Sequence, residues 1–182
     1  MPEEVRKRSV KAAFVDSPVS VYSDKQVQRF INILMDGGNK SLVRSIFEQA
    51  LFEIKCRQFE KYRKAEDDES RSKIVLDPLA VFHSALENGA PQIGVYSEWR
   101  LGTFHKVPVP LSDKTRYFKV FKWLKDSATV NPTKRTPFSI RLANHIIDMH
   151  NNEGDVIEKK IALYKIAEQN KAYVRLRKKG TL

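Results

Sequence analysis

Residues 77–111, DPLAVFHSALENGAPQIGVYSEWRLGTFHKVPVPL, decide the fold. Asp77 can cap a helix, and Pro78 sits in its first turn, where a missing N–H costs nothing. Leu79, Phe82, Ala85 and Leu86 then recur at helical spacing until Asn88-Gly89 stops the helix. Two strand-like runs around one tight turn follow, so the stretch reads as a helix feeding a projecting hairpin over about residues 92–111. Pro108 and Pro110 stand two apart in the return strand and remove donors from one edge only, which then cannot recruit a third strand. Ile93 and Val95 are expected to match Val107, Val109 and Leu111 on an apolar underside. Tyr96, Trp99, Arg100, Phe104 and His105 are expected to cluster toward the tip. A two-stranded arm is marginal alone and needs helices or a partner to support it.

Working outward, residues 1–15 form a basic arm with Arg6, Lys7, Arg8 and Lys11, and residues 16–182 read as one helical domain. Ser23 or Asp24 can cap a helix whose Val27, Phe30, Ile31 and Leu34 share a face, and Gly37-Gly38 stops it. A longer helix begins near Lys40, with Val43, Ile46, Phe47, Ala50, Leu51 and Ile54 as its core stripe and Phe59 and Tyr62 extending it. Residues 66–70, Glu-Asp-Asp-Glu-Ser, read as a solvated loop. After the hairpin, Ser112 or Asp113 can cap a helix with Tyr117, Val120, Phe121 and Leu124 inward and Lys114, Arg116, Lys119 and Lys122 between them. Asn131-Pro132 and Thr136-Pro137 lead to a helix with Ile140, Ala143 and Ile147 on one side, widened by Leu142, Ile146 and Met149. That breadth implies burial on more than one side. A last helix after Gly154-Asp155 aligns Leu163, Ile166, Ala167, Asn170 and Val174 and ends in a basic tail of Lys171, Arg175, Arg177, Lys178 and Lys179. The fold class is therefore mainly α: six helices with one protruding two-stranded β-hairpin.

Composition narrows the function. Lys and Arg number 33 against 22 Asp and Glu, giving a net charge of +11 that favours a polyanionic partner. No run approaches the ~20 apolar residues that span a bilayer. Cys56 is the only cysteine, which excludes an internal disulfide and a cysteine-based zinc cluster. Glu3 and Glu4 among the N-terminal basic residues are unlike an acid-poor transit peptide or a secretory signal.

The motifs point away from catalysis. Gly37-Gly38-Asn39-Lys40-Ser41 lacks the glycine before lysine and the preceding strand of a phosphate loop. A helix starting at Asn39 and Lys40 could still hold a backbone phosphate through its free N–H groups. His83, His105, His145 and His150 are scattered, and the last two are five apart, which misses the four-residue spacing of paired ligands on a helix. Neither metal nor cofactor is expected, and no nucleophile or tuned acid pair stands out. Aromatic and cationic groups on the hairpin suit stacking on unpaired bases and phosphate contacts. Alternatively, Trp99 and Phe104 only pin the hairpin as a cross-strand pair.

The chain resembles the ribosomal protein seven family of the small subunit from about Asp16 to Arg177. The likeness is carried by Arg29-Phe30-Ile31-Asn32, Gly38-Asn39-Lys40-Ser41-Leu42, Asp77-Pro78, Ala85-Leu86-Glu87-Asn88, Val107-Pro108-Val109 and Ala167-Glu168 with Asn170-Lys171-Ala172. Gly37-Gly38-Asn39-Lys40, residues 57–62 and Val107-Pro108-Val109-Pro110-Leu111 resemble mitochondrial members more than bacterial ones. The resemblance implies a mitochondrial matrix protein, the alternative being a bacterial-type cytoplasmic ribosome. It further implies binding to the head of small-subunit ribosomal RNA, early head assembly, and a hairpin reaching the exit-site tRNA and the mRNA path. Head and platform ribosomal proteins would be neighbours, with no membrane and no homo-oligomer. By the same likeness Arg6, Lys7, Arg8, Lys11, Lys25, Arg29, Lys40, Lys114, Arg116, Lys119 and Lys122 would face ribosomal RNA, joined by Asn39 from the helix-start reading. The sequence departs from the family where Glu98-Trp99 replaces a basic pair, where Leu101 replaces a turn glycine, and at Glu158 and Ile161. Two rival readings are a helical protein binding double-stranded DNA through its basic helices and an enzyme acting on RNA.

Overall fold

The computed structural model describes residues 23–65, 67–100, 102–130 and 136–176. In chain order these form α1 (Lys25–Leu34), α2 (Lys40–Lys64), α3 (Asp68–Ser72), α4 (Pro78–Gly89), β1 (Ile93–Arg100) and β2 (Thr103–Pro110). Then come α5 (Asp113–Thr129), α6 (Phe138–His150), α7 (Asp155–Gln169) and a terminal 3-10 helix (Lys171–Leu176). Six helices are substantial, and β1 and β2 form one antiparallel sheet, as the periodicity requires. None of the described helices is long and apolar enough to cross a membrane.

Local chemistry sets the helix starts. Asp24 caps α1 by accepting from the N–H groups of Gln26 (2.6 Å) and Val27 (3.4 Å), and its other oxygen pairs with His83 Nε2 of α4. Asp77 caps α4 through the Leu79 N–H at 3.0 Å, with Pro78 just inside. Both are short polar side chains that satisfy donors the helix leaves open. Gly37 and Gly38 both take positive φ in the turn before α2, a conformation that suits glycine.

Four phenylalanines hold the centre. Phe30 of α1 lies with its ring centroid 5.6 Å from Phe47 of α2, 5.6 Å from Phe82 of α4 and 5.4 Å from Phe121 of α5. All four rings are buried, and each such side chain is worth roughly 1.5–3 kcal/mol of transfer free energy. Helix α6 packs against α2, α4, α5 and α7, which accounts for its broad apolar surface. Its most buried positions are Leu142, Ala143, Ile146 and Met149, whereas Ile140 stays at the periphery.

Several expectations need correction. The acidic stretch is not all loop, because Asp68–Ser72 closes one short helix with acidic residues in its first turn, where they offset the helix dipole. The buried stripe of α2 continues to Gln58, not Phe59, which is 53% exposed; four residues past Ile54 is nearly one turn and five is not. Helix α7 ends at Gln169, so Val174 belongs to the 3-10 helix and is exposed rather than on the α7 stripe.

The hairpin register corrects the expected underside. Arg100 pairs with Thr103, so Ile93 faces Pro110, Val95 faces Pro108 and Trp99 faces Phe104, while Val107 and Val109 face Tyr96 and Gly94 on the other side. The Leu111 N–H donates to the Gln92 carbonyl (2.9 Å), which directs the N–H groups of Val109 and Val107 inward and leaves Pro108 and Pro110 on the outer edge. The terminal 3-10 helix packs against β2.

The base of the hairpin is tied to the ends of α4 and α6 and to the middle of α7. The Asn88 amide donates to the His150 carbonyl at the end of α6 (2.9 Å), Lys160 of α7 donates to the Asn88 carbonyl (2.6 Å), and the Gln92 N–H donates to the Tyr164 hydroxyl (3.0 Å).

Candidate nucleic-acid interface

The groove between α1 and α5 brings together two of the expected contact residues, Arg29 and Lys114. Helix α5 buries Val120, Phe121, Leu124 and Ala128, which turns Lys114 and Lys122, eight residues apart, toward one flank. Arg29 and Lys114 line the same open groove between the two helices, together with Asn32, Ile33, Tyr117 and Phe118. The side-chain ammonium groups of Lys25, Lys40, Lys114 and Lys122 form no hydrogen bond or ion pair with another described residue. Lys125, further along, is engaged: its ammonium donates to the Ile33 carbonyl (3.1 Å) and to Asp36 (3.3 Å).

Arg116 and Lys119 fall elsewhere. Arg116 is held by Asp113 at 2.9 Å, and Lys119 lies 6.0 Å from the Tyr96 ring centroid against the hairpin. Desolvation by burial lowers the Lys119 pKa, as expected where a cation leaves water without a carboxylate beside it. The cationic residues of α5 thus split between two flanks rather than forming one face.

The hairpin tip also divides. Trp99 (60% exposed) and Phe104 (71% exposed) form an edge-to-face pair with centroids 4.7 Å apart. Tyr96 and His105 occupy the opposite face, so the five expected tip residues do not make a single cluster. His105 contacts the Tyr173 ring at 4.7 Å and Thr103 Oγ1 at 2.9 Å. Arg100 pairs with Thr103 through its backbone, and its side chain is outside the description.

At the start of α2, Asn39 makes no side-chain cap and the first turn contains no acidic residue, so its dipole end is uncompensated from within. Lys171 and Arg175 are exposed on the 3-10 helix. Arg6, Lys7, Arg8, Lys11, Leu101, Arg177, Lys178 and Lys179 lie outside the described residues. Among the described residues, no group of His, Cys, Asp or Glu side chains could hold a metal.

Two contributors escaped the sequence reading. Phe118 is 52% exposed and stands midway between Lys114 and Lys122 at successive four-residue steps. That spacing was its signal, masked by the inward-facing aromatics Tyr117 and Phe121 on either side. Lys106 is exposed and pairs with Ser97 on the face of the Trp99–Phe104 pair, which strict alternation from Phe104 would have revealed.

Comparison with known proteins identifies the family. Residues 4–171 match the family described as ribosomal protein S7p/S5e. The small ribosomal subunit protein uS7m of Gallus gallus is 41% identical over 168 residues, covering 92% of this chain and 72% of that protein. The proteins of the same name from Mus musculus (38% identical, 96% and 72% covered) and Drosophila melanogaster (30%, 92% and 76%) are also similar. On a match of that extent, the chain belongs to the ribosomal protein S7p/S5e family.

Proposed function

We propose that the chain is a non-catalytic structural constituent of the small subunit of the mitochondrial ribosome, where it binds the head of the small-subunit ribosomal RNA and helps nucleate head assembly. The observation that carries this is the cationic flank of Lys114 and Lys122, whose ammonium groups have no partner among the described residues, in a +11 chain of a ribosomal-protein family. The name shared by its relatives, small ribosomal subunit protein uS7m, supports the subunit, and the mitochondrial character of Gly37-Gly38-Asn39-Lys40 and Val107-Pro108-Val109-Pro110-Leu111 supports the organelle.

The mechanism is neutralisation and fit. Each lysine or arginine that meets a phosphate releases condensed counterions, and the rigid bundle fixes which phosphates are met. Lys25, Arg29, Lys40, Lys114 and Lys122 act in this way, with the open N-terminus of α2 at Asn39 adding backbone donors. Lys119 steadies the hairpin through Tyr96, and the exposed Trp99, Phe104 and Lys106 of the hairpin face the exit-site tRNA and mRNA path. Lys171 and Arg175 contribute near neighbouring head and platform proteins.

Sedimentation of tagged protein from purified mitochondria tests the proposal. The protein is expected to comigrate with the small subunit after a high-salt wash. Recovery in large-subunit or ribosome-free fractions overturns it.

A further inference from the structure

We infer that the groove between α1 and α5 receives a single unpaired nucleobase, with Phe118 as its stacking platform. The inference deepens the proposed RNA-binding role and rests on it. The groove holds about 340 Å³, at the small end of the ~300–1,000 Å³ that ligand pockets span, which suits one nucleoside rather than a helix.

Its walls and rim differ in chemistry. Ile33, Tyr117, Phe118 and Phe121 supply apolar and aromatic surface, and Phe118 stays half exposed although the buried core begins one turn away at Phe121. Arg29 and Lys114 are at the rim, and Lys122 follows on the same helix flank. Asn32 also lines the groove, and its amide offers both a donor and an acceptor to a base edge.

Charge complementarity selects the occupant. An apolar protein segment seated here would draw Lys114 and Lys122 out of water without counterions, at a cost. A nucleotide brings its own phosphates to those lysines while its base fills the apolar floor. In a duplex the base faces are already stacked, so the base must come from a loop, bulge or single strand. Lys125 is paired with Asp36, so the phosphate contacts on α5 are those N-terminal to it, Lys114 and Lys122.

The test compares binding of a short oligoadenylate with that of the same sugar–phosphate chain lacking bases. Each stacked base is worth roughly five- to a hundredfold in affinity. Wild-type protein is expected to prefer the base-bearing chain, Phe118→Ala to reduce that preference by about fivefold or more, and Phe118→Tyr to retain it. The salt slope of binding should be the same in all three proteins. Because Phe118 is exposed, its replacement should leave the helical circular dichroism intact. An undiminished preference in Phe118→Ala overturns the groove assignment while leaving phosphate binding standing. Absence of salt-dependent binding by wild-type protein overturns the RNA-binding role itself, and the groove assignment with it.

Discussion

Trp99 and Phe104 meet edge-to-face across the hairpin at 4.7 Å, and both remain largely exposed. Such a pair couples two strands through their rings rather than through burial. A double-mutant cycle of Trp99→Ala and Phe104→Ala, followed by urea unfolding, should give a coupling of about 0.5–1 kcal/mol. Additive losses would mean that the rings do not support each other.

Asp24 serves two elements at once. Asp24→Ala should destabilise by about 1–2 kcal/mol through loss of the α1 cap, whereas Asp24→Asn keeps most of the cap and loses the carboxylate contact with His83. Equal destabilisation by both substitutions in urea unfolding would assign the whole effect to His83.

The two phenylalanines of α2 that flank its middle should behave oppositely. Phe47→Ala removes a ring packed on Phe30 and Phe82 and should cost about 3–5 kcal/mol. Phe59→Ala, at a largely exposed position, should change stability by about 0.5 kcal/mol or less. Thermal unfolding of both variants decides whether the stripe passes through Gln58 as the structure has it.

His150 gives stability a pH dependence of known sign. Burial first, then the Lys61 charge, lowers its pKa, so the unfolded chain binds the proton more readily. The native state is favoured above the unfolded value of about 6.5, and that advantage is lost as pH falls from there through the lower folded value. His150→Gln should flatten the stability profile just below pH 6.5 relative to wild type. Parallel profiles would show that His150 does not contribute.

For RNA binding, replacing Lys114 and Lys122 together with Ala should flatten the slope of log affinity against log salt by about 1.4 to 1.8, at ~0.7–0.9 per phosphate. An unchanged slope in a filter-binding titration would remove this flank from the interface.

The helices were legible because their signals are local. Asp77-Pro78 and the spacing of Phe82, Ala85 and Leu86 define α4 without reference to anything distant. The hairpin faces were not, because they depend on the length of the turn. With Arg100 opposite Thr103, an odd-numbered residue of β1 always meets an even-numbered residue of β2, so Ile93 and Val95 cannot share a face with Val107 and Val109. Matching valines by apolarity alone ignored that parity. The split of Arg116 and Lys119 from Lys114 and Lys122 was hidden for a related reason: which flank of α5 meets α1 and which meets the hairpin is settled only by tertiary packing.

Asn88 ties the end of α4 to the end of α6 and to the middle of α7 just before the arm begins, and Gln92 adds a second tie to α7 at Tyr164. The arm is therefore anchored at its root on two helices. A load applied at the Trp99–Phe104 tip is carried as torque into α6 and α7, making the projection a lever on the bundle rather than a loose whip.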